Sequence, residues 1–225
     1  MKGSKKQLNG MKITIVIPYY NEEIHIKKLL KDLVVYKLPI VIVDDGSENK
    51  LNVKGSTVLT HEINLGKGAA MKTGAEYAFS KNTDAVIFMD ADGQHSPSDL
   101  PKFINEINKN KYDLILGNRV SNFGVPLVRY LGNKFASVVM GFFFKTYVSD
   151  SLCGFRAMTK KAYNKIKWES DGYGVEIEMI ARISKNKLSF VEVPIETIYH
   201  DHVKGVTLLD AISILGSVVK WRLTI

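Results

Sequence analysis

Two carboxylates two residues apart carry the sharpest chemical signal in the sequence: Asp90 and Asp92, in Asp90-Ala91-Asp92-Gly93-Gln94-His95. They follow a short apolar segment, Ala85 to Met89, so a buried strand would deliver both to one point. Oxygen ligands of this kind suit a hard divalent cation, Mg2+ or Mn2+, which keeps coordination positions open for the phosphates of a ligand. Gln94 and His95 follow closely enough to complete the shell. The same residues also make an ordinary turn, and Asp-x-Asp arises often by chance. An EF-hand loop is excluded, because its further ligands and closing Glu are missing.

Other polar clusters repeat the arrangement. Asp44-Asp45-Gly46-Ser47 ends a second apolar run and is either a plain turn or a carboxylate offered to a nucleobase or ribose. Gly66-Lys67-Gly68 places a cation and free backbone N–H groups at a helix start, which suits an anion. It is not a P-loop, since no Gly-x-x-x-x-Gly-Lys-Ser/Thr occurs, and it is not a dinucleotide fingerprint, since Met71 stands where the third glycine belongs. These absences weaken ATPase and dehydrogenase readings. Arginine is scarce beside lysine, which makes Arg119, Arg129 and Arg156 candidate phosphate clamps.

The elements that must position these residues alternate. Lys12 to Pro18 reads as a buried strand, and Asn21 as the cap of a helix whose apolar face is Ile24, Ile26, Leu29, Leu30 and Leu33. Pro39 to Val43, Ser56 to Thr60, Ala85 to Met89 and Leu114 to Leu116 read as strands; Gly66 to Ser80 and Ser96 to Asn108 read as helices. Near-continuous apolar strands alternating with helices predict an α/β sandwich, Rossmann-like, with a mostly parallel sheet and helices on both faces. Ligands then sit beyond the carboxyl ends of the strands, where these polar clusters fall. After residue 120 the pattern changes. Val125 to Val148 is a long apolar stretch that fits a core helix or a helix lying on a membrane; Val206 to Ile225 presents the same choice.

Composition sets the outer bounds. The 225 residues, 45% hydrophobic and 24% charged, suffice for one large domain with its own core. A single cysteine, Cys153, excludes an internal disulfide framework and fits a reducing compartment. No uninterrupted apolar run reaches the roughly 18–20 residues of a membrane span. Residues Met1 to Gly10 are polar and lysine-bearing, which predicts a disordered tail and no signal peptide. The net charge of +8 suggests an anionic partner, but no basic stripe interleaved with aromatics points to nucleic acid.

Six segments in order resemble the motifs of family 2, GT-A glycosyltransferases, and within them the dolichyl- and polyprenyl-phosphate sugar synthases of the mannose type. They are Ile17-Pro18-Tyr19-Tyr20-Asn21-Glu22, Val43-Asp44-Asp45-Gly46-Ser47, Asn64-Leu65-Gly66-Lys67-Gly68, Asp90 to His95, Gly117-Asn118-Arg119 and Cys153-Gly154-Phe155-Arg156. The resemblance spans about residues 11–205 and implies one GT-A domain over 11–225, ending in an amphipathic helix. It implies a nucleotide pocket lined by Pro18, Tyr20, Glu22, Asp44, Lys67 and Asp90, and Mg2+ or Mn2+ held by Asp90, Asp92 and Gln94. Asp92, Arg119 and Arg156 are its catalytic candidates. Asn118 departs mildly from the family's Gly-Ser-Arg. Asp171-Gly172-Tyr173-Gly174, with Glu176 and Glu178, resembles the helix start that closes over the sugar. Near the C-terminus, His202 or Lys204 stands in for a family arginine, and His200 and His202 are candidate phosphate or metal contacts.

The implied reaction moves a hexose from GDP-mannose or a UDP-sugar to a polyprenyl or dolichyl phosphate. Its setting is peripheral, on the cytoplasmic face of the membrane, with room for a separate membrane partner. A lipid phosphate is already anionic, so no general base is needed. Arg129 and Lys134, heading the apolar Phe135 to Val148 segment, are candidates to hold it. Two alternatives remain: the same fold acting on a saccharide or protein hydroxyl, with Glu176 or Asp171 as base, and a catalytically silent nucleotide-binding module.

Overall fold

In the computed structural model the described residues are 10–119, 127–196, 198, 216–219, 221, 222 and 224, with side chains described from 132 onward in the second stretch. The tail at 1–9 and the segment 199–215, with His200, His202 and Lys204, lie outside them.

Among the described residues seven strands form one sheet: β1 (Ile13–Tyr19), β2 (Ile40–Asp44), β3 (Thr57–Thr60), β4 (Ala85–Phe88), β5 (Leu114–Arg119), β6 (Arg156–Thr159) and β7 (Phe190–Ile195). Their order is β3-β2-β1-β4-β6-β5-β7. Only β6 runs antiparallel, to both neighbours; the other pairings are parallel. The helices are α1 (Glu23–Leu33), α2 (Lys67–Ser80), α3 (Leu100–Lys109), α4 (Leu127–Phe144), α5 (Lys160–Ile166) and α6 (Val175–Lys185).

The alternation of β1 explains both layers. Ile13, Ile15 and Ile17 point to the face covered by α1 and α3, among Ile26, Leu29, Leu33, Leu100, Phe103 and Ile107. Val16 points the other way, into the core shared with Met71 of α2, Met140 of α4, Trp168 and Met179 of α6. With both faces covered, β1, β2 and β4 need no polar alternation, hence their nearly continuous apolar sequences, broken only by buried Thr14 and by Asp44 at the end of β2. The strand order reverses between β1 and β4, which opens a crevice at their carboxyl ends.

Two local expectations are corrected. Asn21 does not cap α1: it has a left-handed φ of 53°, and its Oδ1 accepts from Glu48 N at 3.0 Å while its own N–H donates to Ser47 Oγ. It ties the loop after β1 to the loop after β2. Ile24 is not on the buried face either; it is 85% exposed, whereas Ile26, Leu29 and Leu33 are buried.

Helix α4 buries one face of its apolar stretch in the core and exposes the other. Ser137, Met140 and Phe144 are buried, while Phe135, Val138 and Phe142, spaced i, i+3 and i+7, are exposed at 58%, 61% and 80%. At the C-terminus Val218 and Trp221 are buried against the core and Val219 is exposed. Among the described residues no helix is long and apolar enough to cross a membrane.

Candidate active site

The carboxyl ends of β1, β2, β4 and β5 form one polar rim. The start of β6 joins them, because its antiparallel course sets Arg156 opposite Phe88 and Leu116. Asp90, just past β4, is the hub. Lys67 Nζ lies 2.7 Å from its Oδ1 and 2.8 Å from Glu176 Oε1 at the start of α6. Burial alone would raise the Asp90 carboxyl, but Lys67 foremost, with His95 and Arg119, holds it below the usual range. Burial would likewise lower the Lys67 ammonium, and Asp90 and Glu176 more than reverse that.

His95 serves Asp90 in another way than as an outward ligand. The Asp90 N–H donates to His95 Nδ1 at 3.1 Å, which leaves the ring proton on Nε2, 3.8 Å from Asp90 Oδ2. Its ring stacks on Phe155 at 5.1 Å, and burial foremost lowers its pKa against the opposing pull of Asp90 and Asp92. Asp92 accepts from Gln94 twice, from N at 2.9 Å and from Nε2 at 2.7 Å. The strand end thus gathers two carboxylates and one amide. No group of three His, Cys, Asp or Glu side chains among the described residues is arranged to hold a metal. That donor set fits a hard cation that takes its remaining ligands from water and a bound diphosphate, rather than one caged by protein.

The nucleotide candidates Pro18, Tyr20, Glu22 and Asp44 fall at and just beyond the carboxyl ends of β1 and β2. Pro18 pairs with Val43 in the sheet, Tyr20 is 46% exposed and Glu22 is half-buried. Asp44 is buried, and its oxygens accept from Ser47 N at 3.0 Å and Leu51 N at 3.3 Å. Its neighbour Asp45 gathers a second loop, accepting from Leu65 N, Gly66 N at 2.7 Å and bonding His61 Nδ1 at 2.7 Å. That bonding fixes the entry to α2 and so the place of Lys67.

Arg119, ending β5, forks onto Asp150, with Nε at 2.6 Å from Oδ2 and Nη2 at 2.7 Å from Oδ1. Asn133 of α4 donates to the same carboxylate at 2.8 Å, which moors α4 to the rim. Burial would raise the Asp150 carboxyl; the Arg119 bonds overcome this and lower it. Lys134 Nζ reaches Ser149 O at 3.4 Å. Arg129 lies in the first turns of α4, and its side chain is outside those described.

Arg156 is not presented to the crevice. It is 1% exposed and donates to three backbone carbonyls: Cys153 at 2.6 Å from Nε, Glu176 at 2.8 Å from Nη1 and Ser151 at 2.7 Å from Nη2. These bonds pin the loop carrying Gly154 and the first turn of α6. Gly154 is pressed against the hub: a Cβ there would collide with Asp90 Oδ2 and stand 2.8 Å from Lys67 Nζ.

Asp150 and Trp168 were not legible in the sequence, and Glu178 was legible only as part of an acidic helix start. Asp150 had no motif of its own. Glu178 accepts from Glu169 N and Ser170 N, at 2.9 and 2.7 Å, and from Arg182. Trp168 Nε1 donates to Gly68 O at 2.9 Å, so the loop 168–174 is clamped onto the start of α2. A Cβ at Gly68 would strike Ser170 O, and Ala69 N donates to Asp171 O at 3.1 Å. The loop's tip, Tyr173, is 66% exposed, and its phenol feels the charges of Lys67, Asp90, Glu176 and Asp92. The acidic run at the start of α6 was the one available sign.

This fold and rim define the GT-A class of glycosyltransferase. The sequence profile of Glycosyl transferase family 2 matches residues 14–167, and the chain belongs to that family. It is 33% identical over 218 residues to a UDP-N-acetylglucosamine–dolichyl-phosphate N-acetylglucosaminyltransferase of Methanococcus voltae, covering 84% of this chain and 87% of that protein. It is 29% identical to the polyprenol monophosphomannose synthase of Mycolicibacterium smegmatis, covering 80% of this chain and 75% of that one. In fold it is similar to glucosyl-3-phosphoglycerate synthase of Mycobacterium tuberculosis, crystallised with Mn2+, UDP-glucose and phosphoglyceric acid. The TM-score is 0.71 at 18% identity, over 96% of this chain and 79% of that one.

Proposed function

We propose that this glycosyltransferase moves a sugar from a nucleotide diphosphate donor to a polyprenyl-type lipid phosphate at a membrane surface. The observation that carries the reading is the joining, through Asp150, of Arg119 at the rim to Asn133 on α4, whose outer stripe is Phe135, Val138 and Phe142. A cationic group beside the carboxylate hub and an exposed apolar helix face suit an acceptor that is an anion at one end and a lipid at the other. The relatives named for GlcNAc and mannose transfer to lipid phosphates support the acceptor class and leave a choice of donor between UDP-GlcNAc, another UDP-sugar and GDP-mannose.

Asp90, Asp92 and the Gln94 amide are the groups to hold Mg2+ or Mn2+. When bound, the cation neutralises charge growing on the departing diphosphate. Pro18, Tyr20, Glu22 and Asp44 bound the nucleoside end; Asp44 also holds its own turn, so base recognition and loop shape are joined there. Arg119, with Lys134 and Arg129 on α4, receives the acceptor phosphate. An acceptor oxygen attacks the anomeric carbon, and the bond from that carbon to the diphosphate breaks, the electron pair leaving with the diphosphate. The attacking oxygen carries no proton, so neither Glu176 nor Asp171 has to act as a base.

The test is transfer from UDP-GlcNAc, UDP-glucose and GDP-mannose to polyprenyl phosphate in liposomes, with Mn2+ or with EDTA. One donor giving a lipid-extractable sugar phosphate, lost with EDTA and in Asp92→Ala at unchanged melting temperature, is the expected result. Full activity in EDTA, or in Asp92→Ala, contradicts it.

A further inference from the structure

Lys67 is an odd residue to find where it stands. It is the first residue of α2, where the helix dipole favours an acid and disfavours a cation, and no acid occupies that first turn. Its ammonium is nonetheless buried deeply enough that the side chain is 16% exposed, bridging Asp90 at 21% and Glu176 at 4%. The bridge is enclosed: Gly154 presses on it with no room for a side chain, and Arg156 fixes the backbone of Glu176. The cation-binding carboxylate proposed above therefore already carries a cation, one supplied by the chain itself.

A divalent ion and the Lys67 ammonium compete for Asp90, and each repels the other across a partly buried site. A donor diphosphate changes this balance, because it is an anion to which the lysine can turn while Glu176 keeps it at the rim. We propose that Lys67 is the resident counter-cation of the Asp90–Glu176 pair. It keeps the site weak for a metal alone and releases Asp90 when a nucleoside diphosphate arrives, so that metal and donor are taken up together. Lys67 is thus a positioning residue acting through Asp90. The inference rests on the metal-dependent reading of this site.

The test is Mn2+ binding, read from the free-ion electron paramagnetic resonance signal, for wild type and Lys67→Met, each without nucleotide and with UDP or GDP. Without nucleotide, Lys67→Met is expected to bind Mn2+ at least tenfold more tightly than wild type. Adding the nucleoside diphosphate is expected to tighten Mn2+ strongly for wild type and little for the variant. Equal or weaker nucleotide-free Mn2+ binding by Lys67→Met, with wild type binding Mn2+ in the presence of nucleotide, overturns this inference and leaves the metal site standing. No Mn2+ bound by either protein under any condition overturns both. If two unpaired carboxylates prevent Lys67→Met from folding, Lys67→Met/Glu176→Gln compared with Glu176→Gln decides by the same tenfold criterion.

Discussion

Arg156 offers a sharp test of how the site is held, because its role read from motif and its role read from structure differ. The motif suggests a charge acting on the substrate; the structure gives a guanidinium with 1% exposure, spent on the carbonyls of Ser151, Cys153 and Glu176. Replacing it by Met keeps the apolar stem and removes the donor from all three. A hydrogen bond from a charged donor is worth about 1.5–3 kcal/mol. Three at the lower figure come to about 4.5 kcal/mol. In a domain of this size each kcal/mol moves the melting midpoint by about 2–4 °C, so Arg156→Met should melt roughly 9–18 °C below wild type. Arg156→Lys keeps the charge but loses the fork, and should recover only about one bond, near 1.5 kcal/mol. Thermal unfolding by circular dichroism, checked by urea titration, reads both. A melting midpoint for Arg156→Met within about 2 °C of wild type, less than 1 kcal/mol, together with lost activity, refutes the structural role and returns Arg156 to the catalytic group.

Other consequences are as direct. Gly154→Ala should lower transfer by tenfold or more and lower the melting temperature as well, since the added methyl collides with Asp90 inside its buried ion pair with Lys67; an unchanged melting temperature and activity would contradict that packing. The Cys153 thiol, pushed up to about 12 chiefly by burial, should resist iodoacetamide at pH 8 in the native protein and react at once in guanidinium; rapid native labelling would contradict its placement. The Asp150 carboxyl is lower in the folded than in the unfolded chain. Its stabilising contribution is therefore full above the unfolded value of about 3.9 and is lost as pH falls through the folded one. The stability gap between wild type and Asp150→Asn, measured in urea, should be constant from pH 7 to 5 and shrink toward pH 3. Phe142→Ser, on the exposed side of α4, should weaken co-sedimentation with anionic liposomes without lowering the melting temperature; unfolding would place Phe142 in the core instead.

In the first half of the fold β1, β2 and β4 were legible because they are buried on both faces, and nearly continuous apolar runs leading into Asp or Asn mark them plainly. Their polar ends were legible as a rim for the same reason. The second half was not. β6 is four residues, Arg-Ala-Met-Thr, with neither alternation nor a β-branched run, and its place in the sheet is set by antiparallel pairing with β4 and β5, both far away in sequence. Asn21 looked like a cap because local rules favour it there; the loop after β2, unseen in a local window, claimed its side chain instead. The partners of the site residues were the least legible. Asp150 for Arg119 and Glu176 for Lys67 are each distant in sequence, and an ion pair closed by the fold leaves no spacing to read.

An acceptor that is a phosphate anion needs no base from the protein, and this separates the proposed reaction from transfer to a hydroxyl. The most direct measurement offers the enzyme, with its preferred donor and Mn2+, equal amounts of polyprenyl phosphate, polyprenol and a soluble saccharide, and identifies the products by mass spectrometry. Sugar is expected on the polyprenyl phosphate alone, in wild type and with substantial activity retained in Asp171→Asn. Sugar appearing on the polyprenol hydroxyl or the saccharide at a comparable or higher rate would contradict it.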